Sequence, residues 1–500
     1  MKLIIHGDVN KYYVQMLCMI YFPGAKFGKD EQETADNPTL ELKVTRNEQG
    51  VDAYAELRYM HKICSSQKHA DFSDGMTHDR TQKIVIGEAV LAAAGDLTGY
   101  RPSWGMLTGV RPSKVAMEML LSGMSKTRVK RHMTSDYLVI PKKSSLATDV
   151  AINEMKIIGQ PDKKDCSVYI SIPFCPTRCA YCSFVSYSSQ KLLSLIPDYL
   201  DKLILEVKDM FATIARLGLN LKTVYIGGGT PTILTANQLE RLLSTIYDCC
   251  DVSSLEEYTL EAGRPDTIDA DKLRVAQKYG VERISVNPQT LNDELLSSIG
   301  RSHNSEDFFR AYNTARDVGI KCINTDLIAG LPGDKFKLFS ESFDKILALR
   351  PENITVHTFC VKKAAEMCQY DVYSRNGGDV GKCVDYSQIK SIQAGYKPYY
   401  MYRQKNTVGN YENVGFALEG YEGRYNIYMM EETHSIFAAG AGAVTKLVKY
   451  SNSANDKTII TRLFNAKYPY EYLADDRHAD MEAKIQQFYE ENVFHQITIN

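Results

Sequence analysis

Three cysteines stand close together behind a short run with strand character, and their spacing points to metal chemistry. Cys175, Cys179 and Cys182 lie three and then two residues apart in the stretch YISIPFCPTRCAYCSFVSY, residues 169–187. Three thiolates on one tight loop suit a cubane iron–sulfur cluster, which takes four ligands and so keeps one iron open to a small molecule. Zinc prefers two ligand pairs, and no second CxxC follows here. A thioredoxin-like CxxC would leave Cys175 unexplained. We therefore favour a cluster, with zinc and chance spacing as the alternatives.

The composition is that of a soluble globular protein. Of 500 residues, 44% are hydrophobic and 24% charged, and the formal net charge is −2. These values favour more than one domain or a large barrel, and they give no global case for binding nucleic acid or an anionic membrane. The sequence shows no apolar stretch of membrane-spanning length and no signal-peptide layout at its start. We expect a cytoplasmic protein, in which nine of the twelve cysteines are reduced and buried.

Strand-like and helix-like runs alternate along the middle of the chain, which predicts a parallel sheet. The strand-like runs are Val168–Ile172, Thr223–Ile226, Tyr258–Glu261, Arg283–Val286, Cys322–Ile328 and Ile354–Phe359. The helix-like runs are Ile196–Ala215, Ala236–Tyr247, Ala270–Tyr279, Ser305–Val318 and Lys335–Leu349. Six such units indicate an open, partial α/β barrel, whose chemistry should lie at the carboxyl ends of the strands.

Residues suited to ligand binding follow these strands. Gly227–Gly229 would let backbone approach a ligand closely, or would simply make a turn. Glu261 could accept from an ammonium group or a ribose hydroxyl, or could be a surface carboxylate. Arg301 offers a guanidinium fork for a carboxylate. Three histidines, His303, His357 and His434, are expected to be structural.

The cysteine stretch, with Tyr181 before the last cysteine, resembles the signature of the radical S-adenosylmethionine (SAM) superfamily. Further blocks resemble its branch of oxygen-independent coproporphyrinogen III oxidases and haem chaperones, in the same order over about residues 166–360. These blocks are YIGGGTPT (225–232), LEAGRPD (260–266), RISVNPQTLND (283–293), IGRSH (299–303) and INTDLIAGLPGD (323–334). The resemblance implies a 4Fe–4S cluster on Cys175, Cys179 and Cys182, and SAM, of which a second molecule could share part of the site. The cofactor-contacting positions that it implies are Tyr169, Tyr181, Gly228, Gly229, Thr230, Glu261, Gln289, Arg301 and Asp326.

The resemblance also implies a reaction, the oxidative decarboxylation of coproporphyrinogen III propionates to vinyl groups in haem biosynthesis. Phe184 is a departure, because the better-known oxidase has a cysteine there and the chaperone-like relatives have a phenylalanine. Two alternatives stay open, a haem-binding chaperone that keeps the cluster and a radical enzyme with another substrate.

The ends of the chain resemble the longer, Gram-positive-type subgroup of this family. We expect an α+β extension at 1–160, a core barrel at 166–395 and a mainly helical region at 396–500 that covers the substrate. Arg101, Arg111 and Lys114 before the barrel and Arg403 after it could pair with substrate propionates at the rim of the barrel. The stretch 101–115 could instead be a capped turn that leads into a helix. The tyrosine-rich run 396–416 is compatible with stacking on single-stranded nucleic acid or on a flat tetrapyrrole. The expected partners are a tetrapyrrole and an electron-donor protein, without nucleic acid or a membrane span.

Overall fold

The structure is a computed structural model that describes most of the chain. The described residues are 1–28, 31, 34–73, 76–109, 111–182, 186–360, 378–404, 407–449, 458–475 and 478–494, without the side chains of 478 and 479. Phe184, the departure from the oxidase pattern, lies outside them.

One large sheet organises the molecule, and a smaller sheet precedes it. The eleven strands of the large sheet run in the order β11-β12-β10-β9-β8-β7-β6-β5-β13-β14-β15, and the small sheet has the order β1-β2-β3-β4. The strands are β1 Lys2–His6, β2 Thr39–Arg46, β3 Gly50–Tyr59, β4 Lys62–Asp71, β5 Asp165–Ile172, β6 Asn220–Gly228, β7 Glu257–Gly263, β8 Arg283–Val286, β9 Cys322–Ala329, β10 Asn353–Thr358, β11 Lys397–Arg403, β12 Glu412–Ala417, β13 Ser435–Ala439, β14 Val444–Lys449 and β15 Ile459–Phe464.

Helices connect the parallel strands and make up much of both ends of the chain. They are α1 Lys11–Tyr21, α2 His78–Thr98, α3 Pro112–Leu121, α4 Lys126–Ser135, α5 Pro141–Ile158, α6 Gln190–Leu193, α7 Ile196–Arg216, α8 Ala236–Cys249, α9 Ala270–Lys278, α10 Asp293–Ser298, α11 Ser305–Val318, α12 Phe336–Ala348, α13 Val380–Gln393, α14 Arg424–Glu431, α15 Pro469–Ala474 and α16 His478–Tyr489. Capping residues fix several starts, such as the capping boxes of Thr235 before α8 and Asn304 before α11. Within the described ranges, no helix has the length and apolar character needed to cross a bilayer.

Strands β5 to β10 are all parallel, and β11 and β15 at the two edges do not pair with each other in the described part of the chain. The predicted open, partial parallel α/β barrel is therefore confirmed. The C-terminal region, predicted to be mainly helical, contains helices α14, α15 and α16 but also strands. Five further strands, β11 to β15, come from the chain beyond residue 396 and extend both edges of this sheet. The proposed division at 1–160, 166–395 and 396–500 stays a prediction.

The two faces of the half-barrel differ in polarity. Apolar side chains such as Val168, Ile170 and Val224 are buried on the outer face, under the helices. Polar and aromatic side chains occupy the inner face, where Tyr169 lies opposite Tyr225. A parallel sheet covered on both faces would read as a continuous apolar run, so this alternation indicates that the inner face is not packed like the outer one.

The amino ends of the strands are closed by α14. The backbone N–H of Arg424, at the start of α14, donates to the Glu257 carboxylate at 2.6 Å. Arg283, the first residue of β8, donates to the carbonyl of Tyr421 at 2.6 Å. The carboxyl ends, where chemistry is expected in a parallel barrel, lie at the opposite end of the strands. We call that end the mouth.

The N-terminal extension lies along the edge strand β11. Asn153 on α5 donates to the carbonyl of Pro398 at 2.8 Å. Lys143 is fully buried and bonds to Glu412 on β12 and to Asp385 on α13, and the Trp104 indole donates to Glu412 at 2.8 Å. We call the contact formed by Trp104, Lys143, Asp385, Arg403 and Glu412 the seam.

Candidate active site

The loop that carries the three cysteines is anchored at both ends to the barrel. The N–H of Cys175 donates to the carbonyl of Tyr187 at 3.0 Å, and Tyr187 donates back to Pro173 at 2.9 Å. In the middle of the loop, the N–H of Ala180 donates to the carbonyl of Ile299 at 3.0 Å. The loop is thus held over the carboxyl end of β5, where the sequence predicted it.

The three cysteines are partly buried and form no disulfide among the described residues, and the chemistry around them fits a cluster. The Thr230 hydroxyl donates to Sγ of Cys175 at 3.4 Å, and Nη1 of Arg264 lies 3.6 Å from Sγ of Cys179. Burial raises the pKa of Cys175, so a bound metal would have to supply the charge that favours its thiolate. Within the described ranges, no three His, Cys, Asp or Glu side chains form a metal-binding group as placed. The thiols would have to converge around the irons. Their role as ligands stays a prediction.

Arg264 is a residue that the sequence reasoning did not single out, although it lies in the block LEAGRPD. Its guanidinium is 4% exposed and donates to Thr177, Ser302 and Asp266 at 2.7–3.0 Å. Burial raises the pKa of Asp266, but Arg264 outweighs this and holds it at about 2. Arg264 therefore keeps a permanent cation beside the cysteine loop, where thiolates would need one.

The glycine loop after β6 packs directly on the cysteine loop. The N–H of Gly229 donates to the carbonyl of Ile172, and that of Thr230 to Phe174, both at 2.8 Å. A Cβ on Gly229 would lie 2.6 Å from the carbonyl oxygen of Phe174, and Gly228 has φ of +112°. These contacts account for both glycines without a ligand, and they also bring the glycine loop next to the thiols.

Glu261 and Asp326 form an acidic pair below the glycine loop. The register of β7 and β8 shifts between Leu260 and Gly263, and such a bulge re-aims a side chain. Burial and the neighbouring Asp326 raise the pKa of Glu261 to about 7, against hydrogen bonds from Tyr225 and the Gly228 N–H. Glu261 is therefore poised to ionise when a cation binds beside it.

Gln289 is held in a strained backbone conformation at the mouth. Its φ is +66°, which is uncommon for a residue other than glycine. The strain is maintained by backbone bonds, since the N–H of Gln289 donates to Asp326 and its carbonyl accepts from Ile328, both at 2.9 Å. Strain of this kind clusters at ligand sites.

Arg301 lies against Tyr181 in the cysteine loop. Nη2 of Arg301 is 3.1 Å from the Tyr181 hydroxyl and Nη1 is 3.5 Å from the carbonyl of Asn287. Among the described residues its buried Nε has no partner. A buried guanidinium with an unused donor fits a carboxylate ligand.

The structure thus brings most of the predicted cofactor positions to one place. Gly228, Gly229, Thr230 and Gln289 lie at or just after strand ends that meet at the mouth, and Glu261 and Asp326 lie within β7 and β9, two and three residues before the ends of those strands. Arg301 and Tyr181 reach the same region through α10 and the cysteine loop. Tyr169 is deeper, where its ring stacks on Tyr225 and Tyr425 with centroids 6.1 and 6.3 Å away. Their contacts with a cofactor stay predictions.

The three histidines have different surroundings. His434 is buried and bonds to the Ser167 hydroxyl at 2.8 Å, and burial lowers its pKa to about 3. His303 is also buried, and burial together with Arg301 lowers its pKa to about 4. Both therefore act as neutral packing groups. His357 instead faces the inside of the half-barrel, 3.6 Å from Asp326.

Two arginines that we expected at the rim are used inside the protein. Arg111 donates to the carbonyl of Met430 and pairs with Glu432 at 3.0 Å, just before β13 begins and hence at the end opposite the mouth. Arg403 is buried in the seam, where it bonds to Leu107 and Asn410 and lies over the Trp104 ring. The rim hypothesis is therefore wrong for both. Leu107 and Met430 lie about 300 residues along the chain from Arg403 and Arg111, too far for a local motif to reveal these contacts.

Comparison with known proteins identifies relatives of this chain. A model of the radical SAM superfamily matches residues 169–346. The chain is 35% identical over 481 residues to the oxygen-independent coproporphyrinogen-III oxidase-like protein HemZ of Bacillus subtilis, a match that covers 94% of this chain and 93% of that protein. It is 33% identical to the haem chaperone HemW of the same organism, over 61% of this chain and 77% of that one.

A solved structure shares the fold. Coproporphyrinogen III oxidase (HemN) from Escherichia coli, described as a radical SAM enzyme, superimposes with a TM-score of 0.50 at 20% identity. The superposition covers 66% of this chain and 72% of that chain.

Proposed function

We propose, from the premise that this chain belongs to the radical SAM superfamily and within it to the family of oxygen-independent coproporphyrinogen-III oxidase-like proteins, that it converts propionate side chains of coproporphyrinogen III to vinyl groups. Members of the superfamily use a 4Fe–4S cluster and SAM. The two conversions would yield protoporphyrinogen IX, the precursor of protoporphyrin and haem.

The observation that carries this proposal is the length of the match to the oxidase-like protein. It spans 94% of the chain, so it takes in the N-terminal extension and the region after the barrel as well as the cysteine motif. The match to the haem chaperone covers only 61%. A resemblance confined to the barrel would favour neither the oxidase nor the chaperone function. The shared N-terminal extension favours the oxidase function.

The chemistry would be divided between the cofactors and the protein. A cluster held by Cys175, Cys179 and Cys182, together with SAM, would supply the radical chemistry that takes one hydrogen atom from a propionate CH₂. The substrate radical then loses carbon dioxide and passes one electron to an acceptor, which leaves the vinyl group. The protein's task is to bind and orient SAM and the propionate, and to keep water away from the reacting atoms.

The residues at the mouth have chemistry suited to that task. Cys175, Cys179 and Cys182 would hold three irons. The Glu261 carboxylate would accept from the SAM ammonium group, and the free Nε of Arg301 would donate to its carboxylate. Gly228 and Gly229 leave the backbone of the glycine loop accessible, and the tyrosines inside the barrel would exclude water.

A haem-binding chaperone is the second candidate, because the chain is 33% identical to a protein named for that role. In that case the cluster would remain, and haem rather than a porphyrinogen would occupy the barrel. A radical enzyme acting on another substrate would use the same mouth with a different interior.

Product analysis separates these candidates. Reconstituted protein is incubated anaerobically with coproporphyrinogen III, SAM and a chemical reductant, and the products are oxidised and separated by chromatography. We expect the monovinyl and divinyl products together with 5′-deoxyadenosine. Cleavage of SAM without any vinyl product, combined with tight binding of haem, would favour the chaperone instead.

A further inference from the structure

The barrel covers the inner side of the cysteine loop closely. The Thr230 N–H donates to the carbonyl of Phe174 at 2.8 Å, and the Ala180 N–H donates to the carbonyl of Ile299 at 3.0 Å. The buried guanidinium of Arg264 lies against a third part of the loop. An electron-donor protein would have to approach the loop from another side, because these contacts fill the inner side and the mouth is kept for SAM and the substrate.

On its outer side the cysteine loop is backed by a row of three tyrosine rings that ends at the surface. The carbonyl of Tyr187 accepts from the N–H of Cys175 at 3.0 Å. The rings of Tyr187 and Tyr468 have centroids 5.7 Å apart, and Tyr468 stacks on Tyr470 with centroids 5.5 Å and planes 19° apart. Tyr468 and Tyr470 are 38% and 54% exposed. Three rings therefore lead from the backbone of a predicted cluster ligand to solvent.

The exposed rings are held in place by neighbouring contacts. The Tyr187 hydroxyl donates to the carbonyl of Lys467 at 3.4 Å. Helix α15 is anchored by Tyr472, which is buried and donates to the Glu206 carboxylate at 2.5 Å. The exposure of Tyr470 on this anchored helix is therefore a fixed feature of the surface, and tyrosine is enriched where proteins bind each other.

The charged side chains around this row are mostly positive. Exposed Lys467 has its Nζ 5.8 Å from the ring of the next residue. Burial raises the pKa of Tyr187 to about 12, and among its charged neighbours Glu471 raises this pKa further while Arg178 of the cysteine loop lowers it. Lys191, four residues after Tyr187, is exposed as well. The three cations outnumber Glu471, so this surface is complementary to an acidic protein.

We propose that the surface formed by Arg178, Lys467, Tyr468 and Tyr470, which we call the docking surface, binds a small acidic flavoprotein that passes one electron to the cluster. A flavin is a flat aromatic ring and would stack on an exposed tyrosine, whereas an iron–sulfur carrier offers no such ring. The flavin hydroquinone would become a semiquinone as the oxidised cluster gains one electron, and no proton needs to move. The inference rests on the radical chemistry of the proposed function, which consumes this electron, but not on its substrate.

The test compares electron sources for the cleavage of SAM. Reconstituted protein is incubated anaerobically with SAM and with titanium(III) citrate, a reduced flavodoxin or a reduced ferredoxin, and 5′-deoxyadenosine is quantified. We expect flavodoxin to support cleavage at lower concentration than ferredoxin. Its rate should fall as salt is raised from about 0.05 to about 0.3 M, because salt screens the attraction between the proteins, whereas the rate with titanium(III) citrate should change little. Preference for ferredoxin, or no cleavage with flavodoxin in protein that is active with titanium(III) citrate, would overturn the flavin assignment.

Variants then locate the docking surface. Tyr470→Ser and Lys467→Glu should each raise the flavodoxin concentration needed for half-maximal cleavage by about tenfold, the usual effect of losing an aromatic or charged contact at an interface. Tyr421→Ser and Lys345→Glu are matched controls, because Tyr421 is 40% exposed at the amino ends of the strands and Lys345 is exposed on the outer helix α12. Iron content and cleavage with titanium(III) citrate show whether each variant is folded. Wild-type use of flavodoxin by folded Tyr470→Ser and Lys467→Glu proteins would overturn the docking surface.

The docking surface and the proposed reaction can fail separately, because the cleavage assay contains no porphyrinogen. If no vinyl product forms but cleavage driven by flavodoxin depends on Tyr470 and Lys467, the docking surface stands and the reaction is wrong. If vinyl product forms with titanium(III) citrate and both variants use flavodoxin like the wild type, the reaction stands and the docking surface is wrong.

Discussion

The mouth of the half-barrel and the seam both bury charged side chains, but they treat those charges differently. In the seam, the ammonium of Lys143 lies between the carboxylates of Glu412 and Asp385, and Glu412 also accepts from Trp104. At the mouth, Glu261 is pushed toward neutrality by burial and by Asp326, and Nε of Arg301 lacks a partner among the described residues.

This difference separates a group of structural ion pairs, the seam, from a binding site, the mouth. Buried ions that satisfy each other hold two regions together, and removing one partner exposes the other to an uncompensated cost. Buried ions that lack partners are costly unless a ligand completes them. We therefore expect mutations in the seam to act on stability and mutations at the mouth to act on cofactor binding.

The largest effect is expected at the cysteine loop. Cys179→Ala should abolish the binding of about four irons per chain, because a cubane cluster needs its thiolate ligands. Cys249→Ala is the matched control, since Cys249 is half-buried on the outer helix α8. Iron and sulfide analysis after anaerobic reconstitution measures both. Full loading of Cys179→Ala would show that the cluster is held elsewhere.

The second largest effect is expected in the seam, on the stability of the protein. Lys143→Met should destabilise the protein by about 3–5 kcal/mol, because Glu412 and Asp385 would be left buried without their cation. Lys142→Met is the control: this neighbouring lysine is 53% exposed, and its contact with Asp385 should contribute about 1 kcal/mol or less. Thermal unfolding of the two variants should differ by several degrees. Equal melting temperatures would remove the distinction between seam and surface.

A smaller effect is expected on the pH dependence of SAM binding. With a pKa of about 7, Glu261 is mostly neutral at pH 6 and mostly ionised at pH 7.5 in the SAM-free protein. Affinity for SAM should therefore rise roughly fivefold to sixfold across this interval, because the ionisation of Glu261 outweighs the partial loss of the ammonium proton at pH 7.5. Calorimetric titration measures the rise. Glu261→Gln should bind SAM more weakly and without this rise, and an unchanged pH profile would mean that Glu261 does not meet the ammonium group.

The smallest effect is expected at Arg111, which the sequence placed at the substrate rim. Its pair with Glu432 is partly exposed, so Arg111→Ala should cost about 1 kcal/mol of stability. Cleavage of SAM and turnover of substrate should be close to wild-type, because Arg111 lies at the end opposite the mouth. A tenfold loss of turnover in a normally folded variant would restore the rim hypothesis.

Local patterns predicted the core of the fold well. The predicted run Arg283–Val286 coincides with β8, and Ser305–Val318 with α11. Parallel strands and their helices are bounded by capping and turn residues that act within a few positions of the chain. The cysteine loop and the glycine loop were found for the same reason, since each is one contiguous motif.

The remaining features depend on contacts between distant parts of the chain. Arg403 could not be assigned to the seam from sequence, because Leu107 lies about 300 residues before it. Strands β11 to β15 were missed as parts of the sheet, because pairing such as that of Ser435 with Cys166 leaves no local signal. Arg264 had a signal in the sequence, its place in the block LEAGRPD, that motif reading did not weigh.

The most direct test of the division between mouth and seam is an anaerobic crystal structure of the reconstituted protein with SAM bound. The account predicts a cluster on Cys175, Cys179 and Cys182, with SAM in contact with Gly228, Glu261 and Arg301 and the seam unchanged. A SAM molecule bound elsewhere, with Glu261 and Arg301 free of contact, would contradict it.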